Sequence, residues 1–208
     1  MAGRKPLTPF TFERILQQAS VSLSSTEPSS NRAAYYIASY PALIEAAQIL
    51  SAKPAQQTIY ALYRLAYGWM PTTPRHTLPD AIKANSIPFI SAVRDAKTQK
   101  DALAILLDHP KHAPINNSWI GTSKRLHFVN PAVFPIWDSK IAGNYGMSAH
   151  STYNSKRHYI TYLQNVHELT TLPALAAFQS TLALTHKYKV TKIRAVELAL
   201  FLTPSPSP

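Results

Sequence analysis

The chain contains no cysteine. This excludes disulfides, thiolate zinc sites and cysteine-ligated iron–sulfur clusters, and it is compatible with a reducing compartment. Glycine is scarce, at 5 of 208 residues, and no P-loop, Rossmann glycine pattern or Gly-x-Ser-x-Gly elbow occurs. Acidic residues are also few: 10 Asp and Glu stand against 21 Lys and Arg. A convincing acidic cluster to hold Mg²⁺, as a nuclease would need, is missing. No apolar run approaches the ~20 residues required to span a bilayer. The opening MAGRKPLTPF has basic residues without the apolar segment of a signal peptide. These absences lead us to expect a soluble, cytoplasmic, monomeric protein that uses no cofactor and no metal.

What is present points to helices. Hydrophobic residues make up 46% of the chain, and 17 prolines fall mostly between apolar runs, as in helices joined by stiff connections. Phe12, Ile15, Leu16, Ala19 and Leu23 follow a helical period, with Thr8 as N-cap and Pro9 at the first helical position. Residues 33–50 are apolar but contain Pro41, which is expected to divide them into two helices. Further helices are predicted over 55–69, 88–97, 100–108, 118–129, just after Asp138, and over 152–170, 173–186 and 191–202. Loops are expected at 25–32 and 70–80, and a disordered Pro/Ser tail at 203–208. Residues 185–194, THKYKVTKIR, alternate like a strand but have no partner strand. The class is all-α: one globular helical unit over 1–202, a bundle of about 8–11 helices, with two subdomains flanking a cleft.

The net charge of +11 attracts polyanions, nucleic acid first and an anionic membrane surface second. Residues 51–100 carry seven basic and two acidic groups, and residues 151–208 carry six and two. A merely solubilising surface is the plain alternative.

The most informative stretch is NNSWIGTSKRLHFVNPAVFPIWDSKIAGNYG, residues 116–146. Asn117 or Ser118 caps a helix starting near Trp119, and Asn130-Pro131 stops it. Phe134 precedes a proline and is steered to extended backbone. Asp138 then stands where the next helix begins, as an N-cap whose anionic form is stabilised by backbone N–H groups and the helix dipole. This region resembles the catalytic segment of the helix-hairpin-helix DNA glycosylases, the adenine glycosylases and endonuclease III-like enzymes in particular. Gly121 matches the family glycine, Ser123 falls on the position that is Lys in bifunctional members, and Phe134-Pro135-Ile136 leads into the essential Asp, here Asp138. The likeness covers about 30 residues well. Elsewhere it extends only to the helical class. The hairpin itself reads Asn117-Ser118-Trp119-Ile120-Gly121, with one glycine, and an iron–sulfur module is impossible, which together mark an outlying branch.

The resemblance implies a bundle of the helix-hairpin-helix glycosylase type with its active cleft between two helical subdomains. It also implies double-stranded DNA as partner, a base flipped out of the stack, and a carboxylate, Asp138, that stabilises positive charge developing on the sugar. A serine at 123 cannot form a Schiff base, so water is the expected nucleophile and the enzyme is monofunctional, without lyase activity. Lys124, one residue away, is the alternative amine nucleophile. Glu13 lies in a segment similar to the family helix whose Glu protonates the departing base. Trp137, Trp119, His127, Tyr60 and Tyr63 are candidates for the base pocket, with ordinary core packing as the competing role for each. Gly121, Thr122, Lys124, Arg125 and Lys140 are candidates for gripping phosphate, with Arg75, Lys156 and Arg157 as outlying ones.

The pair in HPKH, 109–112, lacks a neighbouring carboxylate and is not read as a metal site. His150, His158 and His167 are read as surface polar residues. The departures from the family favour a modified base as substrate, in repair or in defence against hypermodified phage cytosine. A basic helical protein that binds DNA or RNA without cutting it is the other reading, since fold does not fix activity.

Overall fold

The computed structural model describes residues 6–24, 32–69, 80–108, 118–147 and 150–203. All regular structure among these residues is α-helical, with no strand. In chain order the helices are α1 (Pro9–Ser24), α2 (Arg32–Ala52), α3 (Gln56–Gly68), α4 (Asp80–Asp95), α5 (Gln99–Asp108) and α6 (Trp119–Val129). They continue with α7 (Ser139–Asn144), α8 (His150–Tyr153), α9 (Lys156–Leu169), α10 (Ala174–His186) and α11 (Lys192–Leu202). No described helix is long and apolar enough to cross a membrane. The chain divides into two compact units, one formed by Met1–Ser39 with Trp137–Pro208 and the other by Tyr40–Ile136.

In the first unit, Thr8 caps α1 by accepting the Thr11 N–H at 3.2 Å. The stripe Phe12, Ile15, Leu16, Ala19 and Leu23 is buried along its full length and packs on α10 and α11. Each large side chain in such a stripe contributes about 1.5–3 kcal/mol. The helix at the centre of this unit is α11, buried continuously from Ile193 to Leu200 and packed against α1, α7, α9 and α10. A helix apolar on all sides belongs in a core. An ion pair within it, Arg194 Nη1 to Glu197 Oε2 at 3.2 Å, is enclosed with it.

In the second unit α3 packs on α4 and α6, and α4 also packs on α5. The C-terminus of α6 is fastened by Asn130, whose Nδ2 donates to the carbonyls of Val93 and Ala96, both at 2.9 Å. Arg94 reaches back to the carbonyls of Ser51 and Ala52 at the end of α2, a favourable place for a cation.

Four boundaries differ from the sequence reading. Pro41 sits inside a continuous α2 instead of dividing it. The interior proline costs ~3 kcal/mol, and burial of Ile37, Tyr40 and Ala47 on the same helix offsets it. Likewise α4 starts at Asp80 and carries Pro88 internally, with Ser86, Phe89, Ile90 and Val93 all buried. The helix expected over 152–170 is two, because the Ser155 side chain caps α9 by accepting the His158 N–H. Thr203 belongs to the fold and not to a tail: it is buried, and its hydroxyl donates to the carbonyls of Ala199 and Ile15. The strand-like 185–194 is the end of α10, a short connection and the start of α11.

Candidate functional site

Asp138 is extended (φ −144°, ψ 177°) and is the N-cap of α7. Its Oδ1 accepts the Ile141 N–H at 2.8 Å, so the carboxylate is held by the backbone of its own helix. Oδ2 has no hydrogen-bond partner among the described residues, and the side chain is half-buried. The result is a carboxyl group held in place through one oxygen, with the other not hydrogen-bonded among the described residues.

Beneath it lies an aromatic cluster. Trp137 is fully buried and its indole N–H donates to the Tyr153 carbonyl at 2.8 Å. Its ring meets Tyr162 at 4.7 Å and Tyr145 at 5.9 Å between centroids. With its faces so occupied, Trp137 supports the backbone of Asp138 and presents no open wall to a base. Tyr145 donates to Asn165 Oδ1 at 2.9 Å, and Asn165 also bonds both the N–H and the carbonyl of Leu7. Tyr162 keeps a buried hydroxyl with no hydrogen-bond partner among the described residues. Burial raises the phenol of each of Tyr145, Tyr159 and Tyr162 well above the ordinary tyrosine range, reinforced by the nearby carboxylates Glu168 or Glu197. These phenols stay neutral.

Lys140, the second residue of α7, carries its ammonium 4.4 Å from the Phe201 ring centroid, a cation–π contact. Partial burial lowers its pKa, and the charge of Asp138 opposes that shift. Asn144 at the end of α7 donates to the Leu200 carbonyl at 2.8 Å, so the short helix is held against the C-terminal end of α11. Glu13 is exposed on α1, Arg157 is exposed and Lys156 half-buried at the start of α9.

The remaining described candidates lie in the second unit. Ser118 is the N-cap of α6, and its Oγ accepts the Gly121 N–H at 3.1 Å. That N–H is therefore already used within the first turn of α6. Ser123 is fully buried and its hydroxyl donates to the Ile120 carbonyl at 2.9 Å. Thr122 and Arg125 are buried too, Arg125 with its guanidinium 5.6 Å from the Phe89 ring. Lys124 is half-buried, and its ammonium sits 5.5 Å from the Trp69 ring.

His127 is fully buried, with Nδ1 2.7 Å from the Phe134 carbonyl and Nε2 2.7 Å from the Tyr40 hydroxyl. A carbonyl only accepts, so Nδ1 donates to Phe134, and Nε2 shares a hydrogen bond with the Tyr40 hydroxyl. Both nitrogens are thus engaged in fixing the turn after α6. Tyr63 is buried, whereas Tyr60 and Trp119 are half-buried. Arg75 and the HPKH histidines lie outside the described residues. Among the described residues no group of three or more His, Asp or Glu is arranged to hold a metal.

Sequence reasoning missed Tyr145, Phe201 and the Arg194–Glu197 pair as neighbours or supports of this region. Their only sequence signal was helical spacing, which does not say which helices meet. No family model, curated protein or solved structure matches the chain.

Proposed function

We propose that the protein is a monofunctional DNA glycosylase, an outlying member of the helix-hairpin-helix superfamily, that removes a modified base from duplex DNA. The observation that carries this reading is the Asp138 carboxylate, with one oxygen tied to the Ile141 N–H and the other without a partner among the described residues. Cleavage of an N-glycosidic bond develops positive charge on the sugar. A fixed carboxylate about 4 Å away stabilises it by roughly 4 kcal/mol at an effective dielectric of 20. That is about a thousandfold in rate. Water attacks the sugar, oriented by the second carboxylate oxygen, and the base leaves with a proton.

The Ser123 hydroxyl, enclosed and bonded to its own helix, supports water as nucleophile at that position. The net charge of +11 supports a polyanionic partner. A modified base, including a hypermodified cytosine, is the proposed substrate. The test is incubation with alkylated, oxidised and hypermodified duplexes, followed by alkali and mass spectrometry of released bases. Base release is expected in the wild type and about a thousandfold less in Asp138→Asn, with duplex binding retained. Borohydride is expected to trap no adduct, whereas an adduct abolished by Lys124→Ala would assign the nucleophile to Lys124. If no duplex yields an abasic product, the protein is a binder and not a glycosylase.

A further inference from the structure

Between α10 and α11 the chain turns over Lys187–Thr191. Lys187, Lys189 and Lys192 are all exposed there, and none has an ion pair among the described residues. From residue 169 to 203 the only acidic residue is Glu197, which is buried and bonded to Arg194. Nothing local therefore neutralises the three ammonium groups. The turn is also built to hold its shape. Gln179 Nε2 donates to the Val190 carbonyl at 2.6 Å, Val190 is buried, and Thr191 accepts the Arg194 N–H. Lys187 adopts φ 55°, ψ 34° and closes α10 through its N–H to Ala183. A lysine occupies a left-handed position at which glycine would be less strained.

We propose that this lysine turn is a binding surface for the phosphate backbone of a nucleic-acid duplex. The proposal rests on the nucleic-acid partner proposed above, though not on catalysis. From Lys192 to Phe201 α11 rises about 14 Å, and Phe201 carries Lys140 of the Asp138 helix on its ring. Over that length one strand of duplex DNA presents about four phosphates, at ~3.4 Å of axis each. The turn and Lys140 therefore lie near opposite ends of α11, about the span of four phosphates apart.

A bilayer fits less well. Val190 is buried and Tyr188 half-buried, leaving Leu184, 80% exposed, as the apolar side chain available to insert. One leucine contributes only about 1.5–3 kcal/mol, and even a whole myristoyl chain gives only marginal membrane binding.

The experiment is a salt titration of binding to a fluorescent, unmodified duplex by three full-length proteins. They are the wild type, Lys187→Gln/Lys189→Gln/Lys192→Gln, and the control Lys97→Gln/Lys100→Gln on the second unit. Unchanged thermal melting verifies that these exposed substitutions leave the fold intact. The wild-type log–log slope is expected to be steep and the turn variant's to be shallower by about 0.9 for each phosphate that is no longer neutralised, with the control unchanged. A steep wild-type slope that the turn variant retains overturns the proposal while leaving duplex binding in place. A flat wild-type response removes the nucleic-acid partner altogether. Weaker binding of the turn variant to phosphatidylserine vesicles, with its duplex slope unaltered, assigns the surface to membranes and also overturns the proposal.

Discussion

At the scale of single residues, Asp138 serves two purposes that substitution can separate. As a cap it satisfies one N–H of α7, and Asn caps a helix about as well as Asp, whereas Ala loses ~1 kcal/mol. Asp138→Asn is therefore expected to unfold in urea within a few tenths of a kcal/mol of wild type, and Asp138→Ala about 1 kcal/mol sooner. A large destabilisation of the Asn variant would show that the charge, not the cap, holds α7 in place. Lys187 offers the converse case. Relief of its left-handed backbone makes Lys187→Gly more stable by about 1 kcal/mol, read as a higher melting temperature. An unchanged or lower value would mean that its stem packing outweighs the strain. The cap at Asp138 was legible in sequence because capping is local, a matter of one residue and the three that follow. The engagement of His127 was not, since its partner Tyr40 lies 87 positions away and an isolated His carries no mark of it.

At the scale of elements, the join between α6 and α4 is clasped by the Asn130 side chain. Asn130 closes the last turn of α6 and bonds carbonyls at the end of α4. Asn130→Ala leaves those buried acceptors without their donor, and each missing bond costs about 0.5–1.5 kcal/mol. The expected destabilisation is about 2 kcal/mol, measured as a lower urea midpoint with unchanged m-value. A change below about 0.5 kcal/mol would show that water replaces the amide. The sequence marked Asn130-Pro131 correctly as a stop, because a proline ends the helix before it. It misplaced Pro41 and Pro88, where the same residue type sits inside helices. The difference is tertiary: Ile37, Tyr40, Phe89 and Ile90 are buried around them, and burial of that size outweighs a missing hydrogen bond.

At the scale of the whole molecule, the three buried tyrosines make folding sensitive to alkali. Their folded-state pKa values are raised above the ordinary value near 10. Below about pH 10 the phenols are protonated in both states and their contribution is complete. Above it the unfolded chain releases protons that the native core retains, and stability falls. Three such groups lower it by about 4 kcal/mol per pH unit. Denaturation series on either side of pH 10 should show this slope, and a flat profile would mean that the phenols ionise within the fold.

The all-α class was legible from periodicity, and the charge from composition. The division of the chain was only partly so, because the unit holding Asp138 is built from two separate stretches. That division has a consequence for biosynthesis. Residues 40–136 emerge from the ribosome as one continuous stretch and can condense at once, in keeping with the tendency of domains to fold as units during synthesis. Helix α1 must instead wait for partners made much later: its stripe finds α11, and the carbonyl of Ile15 finds Thr203, 188 positions on. Until then Phe12, Ile15 and Leu16 stay in water, and the newborn chain carries a greasy early helix in need of shelter.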